Sequence, residues 1–172
     1  MIVDFSYRGW WTTVHGVVLG GLFMLALVVV LWQLVQLRDE DLTAEGAAAR
    51  LRWLRRALVF TAVISITTAV VGTWVVDPWF HQHVAGSPLL LLDARPKLTF
   101  WTDVVLEWKE RVSWTAALCA CAAAYITVYY GDELLWHSRV RRLMLAFFGV
   151  ALGGALAAGA MGMLLTKIVP VT

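Results

Sequence analysis

The side chains able to do chemistry are few, and most gather toward one end of the apolar runs that make up this chain. Four histidines occur: His15, His81, His83 and His137. A neutral imidazole can ligate a haem iron, a pigment or a transition metal. His15 lies about one helical turn inside the first apolar run, and His81 and His83 follow the second run directly. These three are expected on one side of the protein and His137 on the other. His15 with His81 or His83 is therefore a candidate ligand set for haem b or another pigment, and a quinone is an alternative guest for the same region. Against that stands the ordinary reading. A loop histidine is usually solvated, no two histidines share a run at facing positions, and His15 beside Gly16 suits a hydrogen bond to a neighbouring helix. No metal site is assigned. Ser113 has no histidine beside it, and nucleophile elbow, phosphate loop, zincin helix and CxxC pair are all missing from the sequence. The chain is read as not an enzyme. Its densest charged cluster is Asp103, Glu107, Lys109, Glu110 and Arg111. It is either the self-compensated surface of a helix, with Glu107 and Arg111 spaced for an ion pair, or a docking patch for a periplasmic cytochrome or redox domain.

The elements that must position these groups follow from composition. Of 172 residues, 60% are apolar and 15% charged, and the mean hydropathy is +0.73. A soluble domain carries about a quarter charged residues, so the bilayer is indicated. Disorder, a collagen repeat, a disulfide scaffold and a nucleic-acid partner are excluded together. Cys119 and Cys121 stand two apart in an apolar run, where helical neighbours diverge, and are read as small packing residues. Residues 12–36, 57–76, 112–131 and 143–166 contain no Asp, Glu, Lys or Arg. Each approaches or exceeds the roughly 20 residues that cross about 30 Å of hydrocarbon. The expectation is an all-α polytopic membrane protein: one domain, a bundle of four transmembrane helices. The first run is too long, and its flank too acidic at Asp4, to be a secretory leader.

Pro78, Pro88 and Pro96 fall in the long connection 77–111, and Pro170 follows the last run. That connection, with Gly86, Ser87 and Pro88, is expected to cross the membrane surface as a loop. An amphipathic lead-in from Trp101 then enters the third span. Thr43 to Leu54 predicts a short interfacial helix before the second. Arg38, Arg50, Arg52, Arg55, Arg56, Arg139, Arg141 and Arg142 flank the two other connections. Arg8, Arg95, Lys97, Lys109, Arg111 and Lys167 are spread over the opposite side. The denser side belongs in the cytoplasm, which places both termini outside a bacterial inner membrane. The inner arginines suit anionic lipid.

Small residues repeating every four positions mark seams where membrane helices pack closely. Gly16 and Gly20 form one, Ala116, Ala120 and Ala124 another. The last span carries two, Gly149 with Gly153 and Gly154 with Ala158 and Gly162, one more than the chain needs internally, which leaves a seam for other integral membrane subunits. Ser65, Thr67, Thr68 and Thr127 are expected to bond within their helices. Ten tryptophans read as an aromatic belt: Trp10, Trp11, Trp74, Trp79, Trp101, Trp108 and Trp114 at the outer border, Trp32, Trp53 and Trp136 at the inner.

The run Gly72-Thr73-Trp74-Val75-Val76-Asp77-Pro78-Trp79-Phe80, with Glu107-Trp108-Lys109-Glu110-Arg111 later, resembles a family of bacterial four-helix membrane proteins without an established activity. In that family Gly-Thr-Tyr runs into Tyr-Pro-x-Tyr-Arg, and Glu-x-Lys-Glu-His opens the third helix. This chain has His81 where the family has arginine and Arg111 where it has histidine. An exchange of that kind implies that His81 and Arg111 lie close together, and it removes a ligand candidate. The combined expectation is a non-catalytic integral subunit that packs within a larger bacterial electron-transfer complex, respiratory or photosynthetic. A small b-type cytochrome or quinone-binding redox protein is the alternative, and a pigment-binding subunit the third possibility.

Overall fold

The computed structural model describes residues 6–36, 43–83, 87–95, 98–135 and 137–169. Asp4, Arg38, Gly86, Pro96, Lys97, Trp136 and Pro170 lie outside the described residues. The described residues are all-α, and among them are four helices long and apolar enough to cross a membrane. They are α1 (Tyr7–Gln36), α2 (44–80), α4 (101–135) and α5 (Ser138–Ile168), and a short α3 (Pro88–Asp93) joins α2 to α4. Each long helix exceeds its charge-free run, because ionised residues mark where hydrocarbon ends and not where hydrogen bonding ends. The expected interfacial helix is accordingly absent as a separate element: α2 rises without a break from Ala44 to Val71, started by the Thr43 hydroxyl accepting from Gly46 N–H at 3.2 Å.

At the end of the bundle carrying the α1–α2 and α4–α5 hairpins, the arginines hold the chain together. Arg50 donates to the Gln36 carbonyl at 3.0 Å and Arg141 to the Leu135 carbonyl, satisfying acceptors that helix ends leave open. Arg55 pairs with Asp132 at 2.8 Å. Gly131 ends the regular helix at φ +57°, a conformation glycine adopts freely, and a Cβ there would also stand 3.2 Å from Arg55 Nη2. Three of the arginines read as lipid-facing thus have partners within the protein.

Above this end lies a dense core. Phe23, Leu27, Val30 and Leu34 of α1, Leu51, Leu54 and Leu58 of α2, Ala116, Ala120 and Ala123 of α4, and Met144, Phe148 and Ala151 of α5 are all buried together. The expected alanine seam on α4 is a tight seam: a Cβ on Gly154 would lie 3.2 Å from Ala116 Cβ and 3.4 Å from the Val112 carbonyl oxygen. Thr61, Thr67, Thr68 and Thr127 each donate to the carbonyl four residues back, and Ser65 to Ala62, as hydroxyls in lipid must.

At the other end, where α1 starts and α5 finishes, three helices depart from regular α geometry. Val14–Leu19, Gly72–Val76 and Trp101–Leu106 are π-helical turns. The second has a visible cause. Pro78 has no N–H and its ring crowds the carbonyl four residues back; the widened turn, in which Asp77 N–H reaches the Gly72 carbonyl, lets α2 run on to Phe80 where a loop was expected. A second apolar cluster, including Trp79, Phe80, Leu92, Leu106 and Leu165, closes this end. Trp79 is therefore not a belt residue. It is buried, with the Arg8 guanidinium 5.2 Å from its ring centroid. Trp114 is half-buried and donates to the Thr73 hydroxyl at 3.2 Å. Trp10, Trp32, Trp53, Trp74 and Trp108 are exposed, as a belt requires.

Candidate functional site

Between the dense core and the terminal end the four helices separate around a cavity of about 680 Å³. Its floor is Phe23 and Met24 of α1 against Ala155 and Gly159 of α5; the Met24 methyl would lie 2.9 Å from a Cβ on Gly159. The walls are mainly apolar or small. Polar groups sit higher: Thr12, Thr13, His15, Ser65, Thr68, Lys109, Ser113 and Thr166. Above Gly20, α1 keeps its main contacts with α2 and not with α5. Exposed Gly16, Val17, Gly159 and Met163 line the cavity on that parted side, so it opens laterally between α1 and α5 toward the lipid.

Three polar groups on its lining lack a hydrogen-bond partner among the described residues: the Lys109 ammonium, His15 Nδ1 and Trp79 Nε1. Lys109 enters from α4 on the face that carries Ser113, Ala116 and Ala120, and its stem passes 3.5 Å from where a Cβ on Gly162 would be. Its ammonium makes no hydrogen bond or ion pair with any described residue. His15 lies on the Gly72 backbone, and its Nδ1 is buried without a hydrogen-bond partner. The ring's interaction with a neighbouring helix is with the Thr68 backbone of α2. Gly72 is needed here for space: a Cβ would stand 2.6 Å from His15 Cε1. Gly72→Ala should therefore push the imidazole into the cavity at a stability cost of about 1 kcal/mol. The His15 ring resonances would report it, and an unshifted ring would contradict the placement.

His15 is the one candidate ligand that lines the cavity. His81 and His83 do not, and both are exposed. His81 Nδ1 is 3.0 Å from Asp77 Oδ1, one helical turn earlier. Arg111 pairs with Glu107 at 3.0 Å, the ion pair expected from their spacing. The nearest acid to that pair on α4, Glu110, turns to Asp77 and His81, and ligand atoms of these three lie within 4.8 Å of one another. The charged cluster therefore divides. Asp103, Glu107 and Arg111 remain exposed, whereas Lys109 enters the cavity and Glu110 joins α2.

The seams on α5 divide as well. Gly154 packs on α4, Ala158 and Gly162 line the cavity, and Gly149 and Gly153 are exposed with open space where a side chain would project. Gly16 and Gly20, expected to pack against a neighbour, line the cavity, and Gly16 has open space where a side chain would project.

Fold and cavity together define an all-α polytopic membrane protein with a laterally open chamber in one half of its bundle. No protein-family profile matches the chain, and no curated protein and no solved structure matches it either.

Proposed function

We propose that this protein binds a small amphipathic molecule with an apolar body and an oxygen-bearing head, a membrane quinone or an acidic single-chain lipid. The observation that carries this is the unpaired Lys109 ammonium on the wall of an otherwise mainly apolar cavity. A cation held away from bulk water, near Asp77 and Glu110 but hydrogen-bonded to neither, still favours an anionic or carbonyl oxygen, and the unsatisfied His15 Nδ1 offers a second polar contact. Apolar walls with a few polar groups are the usual make-up of a ligand site, and its volume lies within the usual range. The lateral opening suits a guest that arrives from lipid. Haem b held by two histidines is less well supported, since His81 and His83 lie outside the chamber.

Full-length protein in mild detergent should bind decylubiquinone or oleate saturably, read by quenching of tryptophan fluorescence. Lys109→Met should weaken the preferred ligand at least 10-fold, a loss of about 1.4 kcal/mol. Preference for decylubiquinone would assign a quinone and preference for oleate an acidic lipid. Absence of saturable binding by both, or binding indifferent to Lys109, would overturn the proposal. On this reading the chamber occupies the outer half of a bacterial cytoplasmic membrane. That sidedness is supported by Arg52, Arg55, Arg56, Arg139, Arg141 and Arg142 crowding the hairpin end.

A second reading, a non-catalytic subunit packed within a larger electron-transfer assembly, is favoured by one surface. Gly149 and Gly153 stand one turn apart with nothing opposite them, and such a stripe lets a second transmembrane helix approach closely. The class of assembly, respiratory or photosynthetic, rests on the sequence expectation.

A further inference from the structure

We propose that Asp77, His81 and Glu110 form a binding site for one divalent transition-metal cation at the terminal end of the bundle, independent of the cavity's guest. Asp77 opens the last turn of α2 and His81, four residues on, caps it, and their side chains meet at 3.0 Å. Glu110, in the first turn of the regular stretch of α4, projects toward them. The result is two carboxylates and an imidazole from two helices, with ligand atoms all within 4.8 Å of one another. Donors around one cation at about 2.0–2.2 Å are separated by no more than about twice that distance, so little movement is needed to close on an ion.

An i, i+4 ion pair alone would leave this arrangement incomplete. The Asp77–His81 contact at 3.0 Å accounts for two of the groups, and Glu110 reaches Asp77 by a side-chain hydrogen bond that needs a shared proton, the place a cation would take. Glu110 Oε1 is buried and has no hydrogen-bond partner, although a buried acceptor is normally satisfied. Two carboxylates brought together also repel unless a proton or a cation stands between them. A cavity of about 30 Å³ lined by Asp77 and Glu110 adjoins the cluster, room for about one water. His81 faces solvent, which gives an ion a route of entry and leaves coordination positions for water. Imidazole with carboxylates favours Zn²⁺, Fe²⁺ or Cu²⁺ over Mg²⁺. Lys109 lines the same small cavity, so its charge opposes the ion. This opposition separates metal binding from the function proposed above, because removing Lys109 should weaken the cavity ligand and strengthen the metal.

The test uses full-length protein without a polyhistidine tag, titrated with Zn²⁺ in detergent against a chromogenic chelator. One Zn²⁺ per chain is expected. His81→Ala and Glu110→Gln should each weaken it 10-fold or more, Lys109→Met should tighten it several-fold, and Glu107→Gln should leave it unchanged. His81 is exposed, so its removal leaves the fold intact. Independently, X-ray absorption of the wild-type Zn²⁺ complex should show a single imidazole with oxygen donors at about 2.0–2.2 Å. Zn²⁺ binding that survives both His81→Ala and Glu110→Gln, a shell of several imidazoles, or no binding at micromolar Zn²⁺ would overturn the assignment.

Discussion

Leucine in place of Gly154 should destabilise the bundle by about 3 kcal/mol, the upper part of the usual overpacking range, while leucine at Gly149 or Gly153 should change its stability by about 0.5 kcal/mol or less. The three glycines occupy one helix and differ in what faces them. At 154 even a methyl group would lie 3.2 Å from Ala116 Cβ and 3.4 Å from the Val112 carbonyl oxygen. Neither can swing aside, since one is fixed to the backbone and the other belongs to it. A longer side chain must therefore move α4 and α5 apart along their shared seam, where dispersion and close approach supply most of the attraction in lipid. At 149 and 153 nothing lies within 4 Å. The new side chain meets lipid, and the gain in helix propensity over glycine offsets any small loss. Reversible unfolding in mixed micelles measures all three. If α5 packs on another subunit through the open stripe, leucine at 149 or 153 should also abolish co-purification of that subunit without loss of monomer stability. Equal destabilisation at all three positions would contradict the division between inward and outward seams.

The spans were legible because the physics that defines them is linear in sequence: charge-free runs of sufficient length have one stable solution in a bilayer. The alanine seam of α4 was legible for the same reason, since Ala116, Ala120 and Ala124 share one helical face. Lys109 was not assigned to that face, yet the signal is present. Counting back from Ala120 and Ala116 through Ser113 reaches 109, so the lysine continues the buried stripe. Its neighbours Glu107, Glu110 and Arg111 made the segment look like a solvated surface. The cavity gave no comparable signal. Its end of the bundle also carries π turns in α1, α2 and α4, and no periodicity in the residues announces them. One of them also hid the Asp77–His81 pairing, because a proline at 78 normally marks a helix boundary.

The contrast between a dense half and a hollow half leads to opposite outcomes for two changes of volume on the same helix. Phe148 is fully buried among Leu, Ala and Met side chains below the cavity floor. In a bilayer the separated helices are already in an apolar medium, so Phe148→Ala forfeits packing but little transfer free energy. Void formation at roughly 24 cal/mol per Å³ over roughly 100 Å³ of lost side chain gives a destabilisation of about 2 to 3 kcal/mol. Ala158→Leu, ten residues further along, adds volume where about 680 Å³ stands open. Stability should hold within about 1 kcal/mol of wild type or rise slightly, as cavity filling commonly does. Binding of decylubiquinone or oleate should nevertheless fall steeply, because the new side chain occupies space the guest needs. The pair therefore separates scaffold from site. A severe loss of stability in Ala158→Leu would mean that the chamber is closed in the membrane-embedded protein. A mild effect of Phe148→Ala would mean that the dense half is as yielding as the hollow one, and the chamber would then have no rigid floor against which to select a ligand.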